Sequence, residues 1–262
     1  MGKAGCASGW RRPRCLICRI SMLPARPNSL ILLPGMMCDD RLFATQITRL
    51  CHEFEDKVEV IVPVLDTADT IKGLAHNIIA EAPASFALAG LSMGGIVAME
   101  ILAQAPERIN RLALMDTNPL AETNEGLVRR DRQIQDVQNG LLKQGIMDEM
   151  KPLYLAENPH KQAILDLCMD MALSLGEVVF IRQSCALRDR PDQTATLAPA
   201  HCPTLILYGA EDRLCPPERH YLMKQLIPHA TLAEIEGAGH LPPLEAPEAS
   251  YDHLRAWLNQ DS

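Results

Sequence analysis

From Ser29 onward the chain alternates short, nearly continuous apolar runs with longer amphipathic stretches, and this rhythm narrows the folds open to it. Ser29–Leu33 is a buried-strand run ending at Pro34-Gly35, and Asp40–Phe54 carries apolar residues at helical spacing. Val58–Val64 is rich in β-branched residues and Pro63 argues for its end; Thr70–Ala82 is helical in pattern. Ser85–Leu91 is an apolar strand, Met93–Ala105 a helix stopped by Pro106, and Arg111–Met115 another strand. Later come strands at Thr204–Tyr208 and Leu232–Ile235, a helix between them at Glu218–Leu226, and a closing helix at Pro247–Asn259. Strands apolar along their whole length are covered on both faces, so the pattern predicts an α/β fold. Its sheet is mostly parallel, of about six strands, with helices on both sides.

Two segments break the rhythm. Residues 119–195 are strand-poor, helix-like and rich in charge and methionine, far longer than an ordinary loop. They are expected to form a helical cap inserted between two core strands, so that residues 29–118 and 196–262 make the core. Residues 1–28 are basic and hold three prolines; the apolar stretch Cys15 to Leu23 is interrupted by Arg19, a poor match to an export signal. They are expected to be a flexible leader, with Cys15 and Cys18 a lone pair lacking the second pair a zinc site needs.

The chain's formal net charge is -8, and all six charges before Ser29 are positive, so the remainder is strongly acidic. An acidic body is a poor partner for a polyanion, which argues against nucleic-acid binding. No apolar run approaches the ~20 residues that span a bilayer, so no membrane partner is expected. The nine cysteines are scattered, and Cys51, Cys168 and Cys185 sit inside apolar patterns as small buried hydrophobes would. A cytoplasmic protein is the expectation. A homodimer stays open, through the cap or an uncovered edge strand.

The chemistry centres on Gly90-Leu-Ser92-Met-Gly94, a G-x-S-x-G that follows a predicted strand and opens a predicted helix. That setting is the nucleophile elbow: a turn so tight that both flanking glycines must leave room for neighbouring backbone, and which lifts the serine clear of the sheet. Ser92 is therefore the candidate nucleophile. A hydroxyl needs a base in reach, and the base needs a carboxylate to hold its tautomer. Of the eight histidines, His240 alone lies in a glycine-rich loop directly after the last predicted strand, where open α/β sheets place their sites. His52, His76, His229 and His253 lie in or beside amphipathic helices; His160, His201 and His220 lie in cap or loop segments. Asp212, just past strand Thr204–Tyr208, ranks first as the orienting acid, followed by Asp116 after Arg111–Met115 and by Glu211. The order Ser92, Asp212, His240 is that of α/β hydrolases. The charge that forms on a carbonyl oxygen needs aimed N–H donors, each worth ~3–4 kcal/mol. These are expected from the backbone of Met93 and, in the loop after Leu33, from Met36, with Met37 as second choice. No metal or cofactor is needed, and no phosphate-binding glycine pattern appears.

The segments LLPG at 32–35, GLSMGG at 90–95, LYGAEDRLCPP at 207–217 and GAGHLPPLEAPE at 237–248 together resemble the α/β-hydrolase superfamily with a helical cap, over about residues 29–260. Within it the chain is similar to 3-oxoadipate enol-lactonases, aminoacrylate hydrolases and carboxylesterases of the pimeloyl-ester type. It departs in carrying Pro34-Gly35 where His-Gly is usual, and in lacking an obvious pair of extra strands at its start. The resemblance implies a serine hydrolase that cleaves a small-molecule ester or lactone. The acyltransferase alternative uses the same triad with another acceptor, and a ligand-sensing receptor would keep the scaffold without turnover. Cap methionines (Met147, Met150, Met169, Met171) either line an acyl pocket or pack the cap to itself. Arg129, Arg130, Arg182, Arg188 and Arg190 either meet a substrate carboxylate or form a solvated face.

Overall fold

The computed structural model describes residues 10–11, 29–54, 58–145 and 154–260. Among these residues seven strands make one sheet: β1 (Trp10–Arg11), β2 (Ser29–Leu33), β3 (Glu59–Pro63), β4 (Phe86–Leu91), β5 (Ile109–Met115), β6 (Thr204–Gly209) and β7 (Thr231–Ile235). Their order is β1-β3-β2-β4-β5-β6-β7. The six from β2 to β7 are parallel, as the apolar runs predict. The sheet does not start at Ser29, however. Trp10 and Arg11 pair antiparallel with Pro63 and Val62, covering backbone that would otherwise form an open edge. Two residues are too few to leave a periodic signal, so the leader's sequence hides them. The other expectations for residues 1–28, Cys15 and Cys18 included, lie outside the described residues.

Alternation sorts the strand side chains onto two cores. Leu30, Leu32, Ala87 and Ala89 join one cluster; Ile31, Leu33, Phe86 and Leu88 join the other. Leu30 to Leu33 are fully buried, each burial being worth roughly 1.5–3 kcal/mol. The first cluster is closed by α1 (Ala44–Glu53), through Leu50, and by the last helix, α10 (Pro247–Leu258), through Tyr251, Leu254 and Trp257. The second is closed by α2 (Ile71–Glu81), α3 (Met93–Gln104) and α8 (Pro217–Leu226). Local signals set these ends. Thr70 caps α2 by accepting from the Gly73 amide at 3.0 Å, and Pro217 and Pro247 open α8 and α10, where a missing N–H costs nothing. The helix expected over Asp40–Phe54 begins as a 3-10 turn, Asp40–Phe43, with Asp39 accepting the Arg41 amide.

Between β5 and β6 lie α4 (Asn124–Gln138), α5 (Leu142–Gly145), α6 (Lys161–Arg188) and α7 (Thr194–Leu197). This is the helical cap of the fold. The long α6 is broken at Gly176, whose φ of 80° and ψ of -179° no helix contains. Met171 joins one core while Met169, Phe180 and Leu187 join the other, so α6 bridges both. Gln183 ties it down. Its Nε2 donates to the Leu65 carbonyl (2.9 Å) and its Oε1 accepts the Met37 amide (2.8 Å). Of the four cap methionines, Met169 and Met171 are buried; Met147 and Met150 lie outside the described residues. No described helix is long and apolar enough to cross a membrane.

Candidate active site

Strand β4 delivers Ser92 to the C-terminal edge of the sheet, and α3 starts at the next residue. Ser92 sits at φ 54°, ψ -116°, backbone that a non-glycine residue adopts only under constraint. The constraints are visible. Its amide donates to the Met115 carbonyl (2.9 Å), and Thr117 Oγ1 donates to its carbonyl (2.7 Å). A Cβ on Gly90 would come within 2.3 Å of the Gly94 carbonyl oxygen, and one on Gly94 within 2.1 Å of the Leu33 carbonyl oxygen. The two glycines of G-x-S-x-G thus let β4, α3 and the Leu33–Pro34 loop touch backbone to backbone.

His240 and Asp212 arrive from the loops after β7 and β6. His240 Nδ1 is 2.8 Å from Asp212 Oδ2, and its Nε2 is 2.9 Å from Ser92 Oγ. An ionised carboxylate only accepts, so Nδ1 carries the proton and Nε2 is left to accept from the serine hydroxyl. Asp212 Oδ1 accepts the amides of Leu214 (2.7 Å) and Cys215 (3.1 Å). Burial pushes the Asp212 carboxyl up, but the charge and hydrogen bond of His240, with those two amides, pull harder and hold it below its usual range.

The runner-up acids go elsewhere. Glu211 is exposed. Asp116 is fully buried, and Oδ1 accepts the Gly209 amide at 2.9 Å. Burial, and then the charge of Asp212, push its carboxyl well above the carboxylate range, so of the two aspartates Asp116 is the more readily protonated. Among the other histidines, His52, His76, His160, His201 and His229 are exposed and His253 is half-buried. His220 is not in a loop: it is fully buried in α8 and stacks on Tyr208 with centroids 4.6 Å apart.

The loop after β2 stands beside Ser92; a Cβ on Gly35 would lie 3.6 Å from that of Ser92. Met93 is the first residue of α3, where an amide has no partner within the helix. Neither its N–H nor that of Met36 makes a hydrogen bond among the described residues. Met37, the second choice, has its amide taken by Gln183.

One residue that pattern reading passes over is Glu245. Its Oε2 accepts the amides of Gly239 (2.9 Å) and Ala156 (2.8 Å), and its Oε1 that of Leu241 (2.9 Å). It therefore grips both neighbours of His240 and fastens them to the cap. Burial raises its carboxyl despite those three donors. Its place in GHLPPLE, five residues past the histidine, was the only available signal. Tyr154 of the cap also faces the site, its ring 5.7 Å from that of His240.

Asp212, Cys215 and His240 come close enough together to hold an ion. Burial and the charges of Asp212 and Asp116 push the Cys215 thiol well up, and His240 Nδ1 already faces Asp212. The donor set suits orientation of an imidazole better than metal ligation.

Residues 30–252 match the alpha/beta hydrolase family, and the chain belongs to it. It is similar to the pimeloyl-[acyl-carrier protein] methyl ester esterase of Pectobacterium carotovorum, with 25% identity over 88% of this chain and 94% of that one. It is also similar to a thermophilic esterase from Thermogutta terrifontis, solved with malate bound: 29% identity, TM-score 0.80, 88% and 89% of the two chains. The enol-lactonase of Burkholderia xenovorans shares the fold, with TM-score 0.76 and 19% identity over 90% and 93%. The chain spans only 46% and 57% of the length of two other curated relatives.

Proposed function

We propose that this protein is a serine hydrolase that cleaves a small-molecule carboxylic ester or lactone. The observation that carries the reading is the unbroken line Ser92 Oγ, His240 Nε2, His240 Nδ1, Asp212 Oδ2, with both links under 3 Å. His240 takes the Ser92 proton as Oγ attacks the ester carbonyl, and Asp212 stabilises the imidazolium. The amides of Met93 and Met36 hold the oxyanion. His240 then passes its proton to the departing alcohol, leaving an acyl-serine. A water, deprotonated by the same His240, releases the acid and restores Ser92. The esterase relatives support water as the acceptor and an ester as the substrate.

The test is turnover of p-nitrophenyl esters of increasing acyl length by the wild type and by Ser92→Ala. The wild type should turn over, and the variant should lose at least ~10⁴-fold in kcat. Equal rates in the two proteins would overturn the assignment of Ser92. Product analysis with added alcohols or thiols separates hydrolysis from acyl transfer.

A further inference from the structure

The five cap arginines are not equivalent. Arg129 is exposed. Arg182 donates to the Asp66 carbonyl (2.7 Å), and Arg188 is held by Asp131 and Asp189 at the surface. Arg190 is buried and fully engaged. It forks onto Glu122 (2.8 and 3.2 Å) and donates Nε to the Leu120 carbonyl (3.0 Å).

Arg130 is different. Only 13% of its side chain is exposed, yet its Nε is buried without a hydrogen bond. Glu122 stands 3.7 Å from that Nε, with its oxygens already committed to Arg190. Two buried guanidinium groups thus share one carboxylate, leaving one positive charge uncompensated among the described residues. Among the described residues, the one hydrogen bond Arg130 makes is from Nη1 to the thioether of Met36 at 3.4 Å. A thioether is a weak acceptor for a cation and sits on a flexible chain, so a better acceptor displaces it readily. Met36 is also the residue whose amide faces the reacting carbonyl in the reading above. By covalent dimensions, Nη1 is within about 9 Å of that N–H. A buried cation that must share its counter-charge is costly, and a planar fork matches a carboxylate.

We infer that Arg130 is the counter-charge for a carboxylate carried by the substrate, so that the preferred substrates are esters that also bear a free carboxylate a few carbons from the scissile carbonyl. The inference rests on the esterase reading for the reaction but not for the binding.

The experiment has two arms. In the first, kcat/KM is measured for monoethyl glutarate against ethyl pentanoate, which places the charge on the acyl side. The same is done for 4-acetoxybutyrate against butyl acetate, which places it on the alcohol side. In at least one pair the charged ester should win by about tenfold or more. Arg130→Met should collapse that ratio towards one, and Arg130→Lys should restore part of it. In the second arm, calorimetry follows glutarate and 4-hydroxybutyrate, each against its uncharged amide, binding to Ser92→Ala protein, where turnover plays no part and Arg130 is intact. At least one acid should bind and its amide should not. Binding of the acid without ester turnover in the wild type would sink the esterase reading and leave the Arg130 site standing. Turnover with no preference for charge in either pair, and equal binding of acid and amide, would overturn the Arg130 site alone.

Discussion

At the scale of single residues, two buried aspartates stand beside each other but only one touches His240, and opposite shifts in their carboxyls divide the roles. The Asp212 carboxyl is held down by His240 and two amides, whereas that of Asp116 is pushed well up by burial and by Asp212 itself. Replacing each by its neutral isostere should therefore have opposite consequences. Asp212→Asn removes the charge that fixes the imidazole tautomer and should cost about 10⁴-fold in kcat. Asp116→Asn replaces a carboxyl whose surroundings favour its neutral form, and the amide oxygen can still accept the Gly209 amide, so kcat should move by no more than about threefold. Steady-state kinetics of the two variants checks both, and a large loss in Asp116→Asn would reverse the assignment. Glu245 makes a third case. A glutamine has one acceptor oxygen where the glutamate uses two, so Glu245→Gln must abandon Gly239 and Ala156 or Leu241. His240 would shift by a fraction of an ångström, and kcat should fall by roughly 10–100-fold with a smaller change in KM. An unchanged kcat would mean that the remaining restraints on the loop, among them the His240 amide on the Tyr154 carbonyl, hold it without Glu245.

At the scale of elements, the sequence was most legible where one physical requirement acts alone. A strand buried on both faces must be apolar throughout, which is why Ser29–Leu33 reads off directly as β2. The elbow was legible because a strand, a tight turn and a helix meet within five residues, and only glycine fits at Gly90 and Gly94. What the sequence hid depends on groups distant in the chain. Glu245 matters because Ala156 of the cap comes to it, and Gln183 because Leu65 and Met37 do. Arg130 differs from Arg190 in which of them Glu122 faces and in what else each one reaches. Nor was the break in α6 visible, since a lone glycine inside a helical pattern is compatible with an unbroken helix. Gly176 lies at φ 80°, ψ -179°, and a Cβ there would meet nothing within 4 Å. The cost of Gly176→Ala is thus one of backbone alone. It should lower stability by about 1–3 kcal/mol in urea unfolding. No loss would mean that α6 accepts a different path at this point without penalty.

At the scale of the whole molecule, stability should carry a pH dependence with an identifiable origin outside the candidate triad. His220 is fully buried against Tyr208, and neither ring nitrogen makes a hydrogen bond among the described residues, although the Pro216 carbonyl, one turn earlier, favours the charged form. Burial pushes its pKa down from 6.5 to about 4, and the charge of Asp212 recovers only part of that. Between those two values the unfolded chain binds a proton that the folded one refuses, so stability is present in full above pH 6.5 and is lost as the pH falls towards 4. At pH 5 the loss amounts to about 2 kcal/mol. Other groups titrate in the same window, among them Glu245, whose raised carboxyl acts with the opposite sign. The informative quantity is therefore the difference between the wild type and His220→Phe, which keeps a ring against Tyr208 and removes the titration. Urea melts at pH 7 and pH 5 should show the wild type losing about 2 kcal/mol more than the variant across that interval. If the two proteins lose stability in parallel, His220 gains its proton in the folded state as easily as in the unfolded one. Its ring would then have to reach Asp212 or water in solution, and α8 would have to open at its first turn to allow it.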